Sequence, residues 1–144
     1  MIEKYLFGSG NTDIALLVAR IWTGAMMVYH GSIKLFGGME RFLETVTQRL
    51  HLPAWMGWAA ALIELLGGAC LTIGILTRPA AMAVAIVMAV AAFGAHATDP
   101  WSRKEFALCY FVFCCVLLAA GAGSYSIDAI LLRKQQHSQS NRLG

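Results

Sequence analysis

Four long apolar blocks run along the chain, at residues 13–36, 54–77, 79–98 and 105–123, with short polar stretches between them. Each holds about 19–24 residues, enough at ~1.5 Å per helical residue to cross a hydrocarbon core of ~30 Å. The stretch at 37–53 has a different pattern. Met39, Phe42, Leu43, Val46 and Leu50 fall on one helical face, and Glu40, Arg41, Glu44, Gln48 and Arg49 on the other. This predicts a short interfacial helix lying on the membrane, as a surface anchor or as a lid over one end of a bundle. Thr77, Arg78 and Pro79 predict a tight turn, with Pro79 in the first turn of the next helix. Residues 137–144 are polar and are expected to be disordered. The pattern therefore predicts an all-α fold: a four-transmembrane-helix bundle with a short interfacial amphipathic helix between helices 1 and 2. It forms one membrane domain over residues 1–132, followed by a polar C-terminal tail at 133–144.

Composition agrees. Of 144 residues, 58% are hydrophobic and 13% charged, against about 25% charged in a soluble domain. The net charge of +3 is spread without a basic run, which argues for membrane lipid and against nucleic acid as a partner. The first block carries Arg20 and meets no small-x-small cleavage site, so the first helix is expected to remain. Trp55, Trp58 and Trp101 fall near block ends on one side, as an aromatic belt would. Lys4, Arg78, Arg133, Lys134 and Arg142 on the side of the termini nearly balance Arg41, Arg49, Arg103 and Lys104 opposite, so charge alone leaves orientation open. Cys70, Cys109, Cys114 and Cys115 lie in apolar stretches with no CxxC or metal-ligand spacing, and read as small hydrophobes.

The chemistry lies in five ionisable residues inside or at the mouths of the blocks: Arg20, His30, Lys34, Glu64 and His96. Charge in hydrocarbon is costly and usually faces a bundle interior or a wet cavity. Arg20, Thr23, Gly24, Met27, His30, Gly31 and Lys34 recur at steps of three and four, so they share one helical face. Glu64 shares a face with Gly57, Ala60, Ala61, Gly67 and Gly68, where membrane helices pack closely. Counting rises from a common baseline at Asp13, Thr77 and Pro79 puts Arg20 at ~10 Å, Glu64 at ~20 Å, His30 and His96 at ~26 Å, and Lys34 at ~32 Å. Glu105 opens the fourth block at the same mouth. His30, Glu64 and His96 are thus expected to meet, with Arg20 reaching up toward Glu64 or snorkelling to the interface.

Three readings of this cluster stay open. It is a structural ion pair that fixes helix register, or a small-molecule site in which imidazole and carboxylate handle protons, or a metal or haem site on His30 and His96. The absence of HxxxH and ExxH spacing weighs against metal and haem.

Taken together, ARI at 19–21, HGSIKLFGG at 30–38, ELLGG at 64–68, GILTRPAA at 74–81, His96, EFALCY at 105–110 and GAGSYSID at 121–128 resemble the DoxX family. That resemblance implies a four-helix bacterial inner-membrane protein with both termini in the cytoplasm and the polar cluster in the periplasmic half. Relatives of the DoxD type belong to thiosulfate:quinone oxidoreductases. The resemblance thus implies a redox-associated protein, and if an enzyme then an oxidoreductase subunit, binding a quinone or a small thiol- or thiosulfate-like molecule. Glu64, His30 and His96 would exchange protons. Arg20 and Lys34 would attract anionic groups or steady Glu64, Glu105 would hold Lys34 or gate the mouth, and Tyr110 is a further ligand-binding candidate. The chain has no recognisable electron carrier, so a bound cofactor or a partner redox subunit is expected; a homo-oligomer is the other candidate partner. A non-catalytic membrane scaffold, with a tail from Arg133 that recruits a soluble partner, and a small transporter are the alternatives.

Overall fold

The computed structural model describes residues 12–143; Lys4, weighed above for orientation, lies outside them. The described chain is all helical, without strands. Helix α1 spans Thr12–Arg49, α2 Ala54–Ile73 and α3 Thr77–Ala95. Helix α4 spans Trp101–Ala120 and α5 Ile127–Leu143. By length and composition α1, α2 and α3 suffice to cross a membrane. Helix α4 opens with Arg103, Lys104 and Glu105. Its apolar remainder, residues 106–120, reaches roughly 22 Å, short of a full hydrocarbon core.

The boundaries follow local chemistry. Pro53, with φ −60° and ψ 144°, ends one connection and starts α2. Helix α2 stops at Gly74, whose φ of 81° is left-handed and natural for glycine. The amides of Gly74 and Ile75 both return to the Cys70 carbonyl, at 2.8 and 3.0 Å. Leu76 is also left-handed, at φ 50°, a costly state for a branched side chain. Asp128, from the start of α5, offsets that cost. Its carboxylate accepts the amides of Leu76 (2.8 Å) and Thr77 (2.9 Å) and so caps α3 from a distance. Pro79 falls in the first turn of α3, as its sequence position predicts.

Two expectations need correction. Residues 39–49 are not a separate helix but a continuation of α1 beyond Gly38, whose φ of −125° and ψ of 11° break the helical path. The predicted face is nonetheless correct: Val46 is buried, and Leu43 and Val46 bear on Gly57 of α2. The segment from His137 was expected to be disordered but continues α5 as helix to Leu143.

Helices α1 and α2 touch backbone to backbone. A methyl group on Gly24 would come within 2.6 Å of the Gly68 carbonyl oxygen, and one on Gly31 within 2.6 Å of the Leu65 nitrogen. Gly68 is equally close to Val28 on α1. Small residues thus do here what they do in membrane bundles generally. Met27, Leu71, Ala81, Val84, Cys114 and Leu117 form the core among α1–α4. The outer faces stay apolar: Val18, Trp22, Tyr29, Ile33, Phe36, Ile86 and Phe93 are all exposed. A surface so apolar fits lipid rather than water.

The described helices also contain π-helical turns at Lys34–Gly38, Thr45–Arg49, Ile63–Gly67 and Ala91–Ala95. Such turns add a residue to the helix, rotate the side chains that follow, and recur at functional sites.

Candidate functional site

Lys34 and Glu64 form the centre of the site. Lys34 Nζ lies 2.5 Å from Glu64 Oε1 and 2.6 Å from Oε2, a two-oxygen ion pair between α1 and α2. Both residues stand on π-helical turns. Gly31, one turn before Lys34, lets the two backbones close at this level. Glu64 is 1% exposed and the Lys34 side chain 25%, so the pair is buried at its acidic end and open at its basic end. The open side of the ammonium lies 4.4 Å from the centroid of the Phe42 ring, in cation–π geometry.

His30 sits four residues before Lys34, on the same helical face. It is exposed. Its ring meets Tyr29 edge-on at 5.7 Å and Tyr110 of α4 edge-on at 6.1 Å. Glu64 and Lys34 are both close enough to act on it electrostatically. The sequence-predicted residues His30, Lys34, Glu64 and Tyr110 therefore gather in one place, where α1, α2 and α4 meet.

Arg20 does not join them. It is 1% exposed, and its guanidinium donates to the carbonyls of Leu71 (2.9 Å), Thr72 (3.1 Å) and Tyr125 (2.7 Å). These are the last carbonyls of α2, which have no partner within their own helix, and one carbonyl of the turn before α5. The expected reach to Glu64 fails because α2 ends level with Arg20. Residues 71 and 64 are then separated by ~10 Å of rise, beyond an arginine already committed to three oxygens. Arg20 holds the lower end of the bundle. Asp13 works beside it, accepting Ser124 N at 2.9 Å and Ser124 Oγ at 2.7 Å.

His96 is the second departure. It ends α3, with φ −104° and ψ 18° outside the helical range, and pairs with the loop that follows. There His96 Nδ1 lies 2.8 Å from Asp99 Oδ2. Arg49 reaches Asp99 Oδ1 at 3.4 Å, and Arg103 reaches Oδ2 at 3.8 Å. The hydrogen bond with His96, then the charges of Arg49, His96 and Arg103, hold the Asp99 carboxyl below its ordinary value of 3.8, with partial burial opposing them. Glu105 is exposed, and Lys34, which it was expected to hold, is held by Glu64 instead.

Sequence reasoning missed Phe42, Asp99 and Asp128. Asp99 had a legible signal, as an acid directly before Pro100 where an apolar block ends. Phe42 was assigned to an apolar face without its cation, and nothing in the spacing of Asp128 points to the corner it caps. Among the described residues no group of three or more His, Cys, Asp or Glu could hold a metal ion.

Helices throughout the described residues, apolar outer faces and an ion pair between two helices long and apolar enough to span a bilayer define a helical membrane protein. It belongs to the DoxX family, whose model matches residues 15–97, from the first turns of α1 to just beyond α3. A protein of Haemophilus influenzae, described only as uncharacterized, is 28% identical over 134 residues, covering 86% of this chain and 85% of that one. No solved structure matches the chain.

Proposed function

We propose that the protein binds a small ring-bearing molecule of the quinone class at the Lys34–Glu64 pair and handles protons for it. In this reading α1–α3 span a bacterial inner membrane, α4 completes the bundle with its charged first turn in the headgroup layer, both termini lie in the cytoplasm, and the site faces the periplasmic half. The supporting observation is an exposed imidazole on a helix long and apolar enough to cross a membrane, set between two tyrosine rings and beside an ion pair whose carboxylate is buried. Polar side chains on a lipid-facing surface are rare and costly. A ligand dissolved in the bilayer meets His30 and Tyr110 without leaving hydrocarbon. His30 and the Tyr110 hydroxyl donate to its carbonyl oxygens, and the aromatic rings bracket its plane. Glu64 exchanges protons with the ligand through His30, while Lys34 steadies the carboxylate. Reducing a quinone to a quinol also takes electrons. Those come from a partner redox subunit or a sulfur-containing reductant of the thiosulfate class.

The test is the lipid extract of protein purified in mild detergent. Stoichiometric quinone in the wild type, lost in His30→Ala and Glu64→Gln but kept in Cys114→Ala, is the expected result. Wild-type protein free of quinone, and unable to take it up on addition, overturns the reading. A second reading has its own support. Lys34 and Glu64 neutralise each other with good geometry, as a purely structural pair in a membrane scaffold would. Under that reading the same variants lose stability and no ligand.

A further inference from the structure

We propose that residues 39–49 are a lid over the Lys34–Glu64 pair, hinged at Gly37 and Gly38 and latched to the α3–α4 loop by Arg49 and Asp99. The hinge is two adjacent glycines closing a π-helical turn, and the chain leaves helical geometry at Gly38. Beyond it the lid meets the bundle through side chains seated over glycines. Leu43 Cδ2 lies where a methyl on Gly57 would be 2.6 Å away, and Leu50 Cδ2, just past the lid, where one on Gly94 would be 2.7 Å away. Glycine at both places makes sockets that accept these leucines and let them leave. Among the described residues, the backbone bonds at the far end of the lid stay local, from Leu50 to Thr45 and from Leu52 to Val46.

What the lid covers is the open end of the site. Phe42 lies over the Lys34 ammonium, so lifting residues 39–49 uncovers the cation from the aqueous mouth while Glu64 stays buried. The latch is weak by construction. Arg49 reaches Asp99 at 3.4 Å and the Ala95 carbonyl at 3.5 Å, with its own side chain 53% exposed. Exposed pairs of this kind contribute little, which suits a contact that must break in use. His96 and Arg103 brace the Asp99 carboxylate in position to receive Arg49. The lid would admit a water-soluble reactant or proton to the site whose bilayer side takes the ring-bearing ligand. Its relevance rests on that site reading, but its motion is measurable without any ligand.

The experiment is amine labelling of the full chain in detergent with a water-soluble sulfonated succinimidyl ester, read residue by residue by mass spectrometry. Lys134, exposed on α5, is the internal standard. Lys34 is expected to label slowly in the wild type, and about fivefold faster relative to Lys134 in Arg49→Gln and Asp99→Asn, the factor that ~1 kcal/mol of lost latch corresponds to. Wild-type protein needs no variant to fold: raising the salt concentration screens the exposed Arg49–Asp99 pair and should speed Lys34 labelling in the same direction. Lys34 labelling that responds to neither variant nor to salt overturns the lid. So does an equal rise at Lys34 and Lys134, which marks general loosening. A lid that opens in protein free of quinone sinks only the ligand assignment, and a bound quinone with an unresponsive Lys34 sinks only the lid.

Discussion

Replacing one partner of the Lys34–Glu64 pair should cost different amounts depending on which is removed. The two oxygen contacts at 2.5 and 2.6 Å correspond to a gross attraction of roughly 6 kcal/mol at an effective dielectric of about 20. Lys34→Met leaves a carboxyl that is 1% exposed with no compensating cation. Breaking a buried pair in this way costs ~3–5 kcal/mol. Glu64→Gln leaves an ammonium on a side chain that is 25% exposed and lies against Phe42. That cation can turn to water at the mouth, and its loss should be only ~1–3 kcal/mol. The double variant Lys34→Met with Glu64→Leu removes both charges and should return to within ~1 kcal/mol of the wild type. Unfolding in mixed micelles of mild detergent and dodecyl sulfate, followed by far-ultraviolet circular dichroism, measures all three. Additive losses in the double variant, or Glu64→Gln worse than Lys34→Met, would refute the assignment of burial and pairing. If the double variant is stable yet no longer binds quinone, the pair is retained for chemistry rather than for stability.

Other outcomes follow from the same contacts. Arg20→Lys should lose ~3 kcal/mol or more, because a single ammonium cannot serve the separated carbonyls of Leu71, Thr72 and Tyr125; the same unfolding titration measures it. Asp128→Ala should cost ~1–2 kcal/mol by uncapping α3, with faster amide exchange at Leu76 and Thr77. Asp99 has a folded-state pKa held below its ordinary 3.8. Its contribution to the mouth cluster is therefore complete above pH ~4 and lost as pH falls further. Hydrogen exchange over residues 39–49, corrected for intrinsic rates, should stay constant from pH 7 to 5 and rise only below about 4. A rise near pH 6 would assign the latch to an imidazole instead.

Helices α1–α4 were legible because long apolar blocks leave few alternatives once the bilayer length is set; the polar α5, most of which was expected as a tail, was not. The helix ends were less legible. The end of α2 is set by the left-handed Gly74 and by Asp128, distant in sequence, and no local pattern reports a cap supplied from another helix. The amphipathic face of residues 39–49 was read correctly, yet not its continuity with α1. The Gly37-Gly38 pair looks like a helix stop but lies in a π-helical turn that carries the helix past it.

The site was half legible, and the reason is geometric. Depth along a helix follows from counting residues, but only from a true baseline. Gly24 and Gly31 show that the baseline was wrong: on that count Gly24, at ~16 Å, lies against Gly68 and Thr72, at ~14 and ~8 Å, and Gly31, at ~27 Å, against Leu65, at ~18 Å, so α1 starts well below the end of α2. Raising α2 accordingly brings Glu64 up to His30 and within reach of the long Lys34 side chain, and takes it away from Arg20. Counting also assumes a constant twist. The π-helical turns at Lys34–Gly38, Ile63–Gly67 and Ala91–Ala95 each shift the facing of later residues. Lys34 and Glu64 lie within such turns and meet; His96 follows one and swings out to Asp99. The same local irregularity therefore builds the ion pair and releases the histidine that was expected to share it. Lengthening the Ala91–Ala95 turn by one residue would test this directly. An added alanine should rotate His96 and Asp99 together by ~100°, keeping their local contact but breaking the reach of Arg49 to Asp99, and leaving the Lys34–Glu64 pair intact.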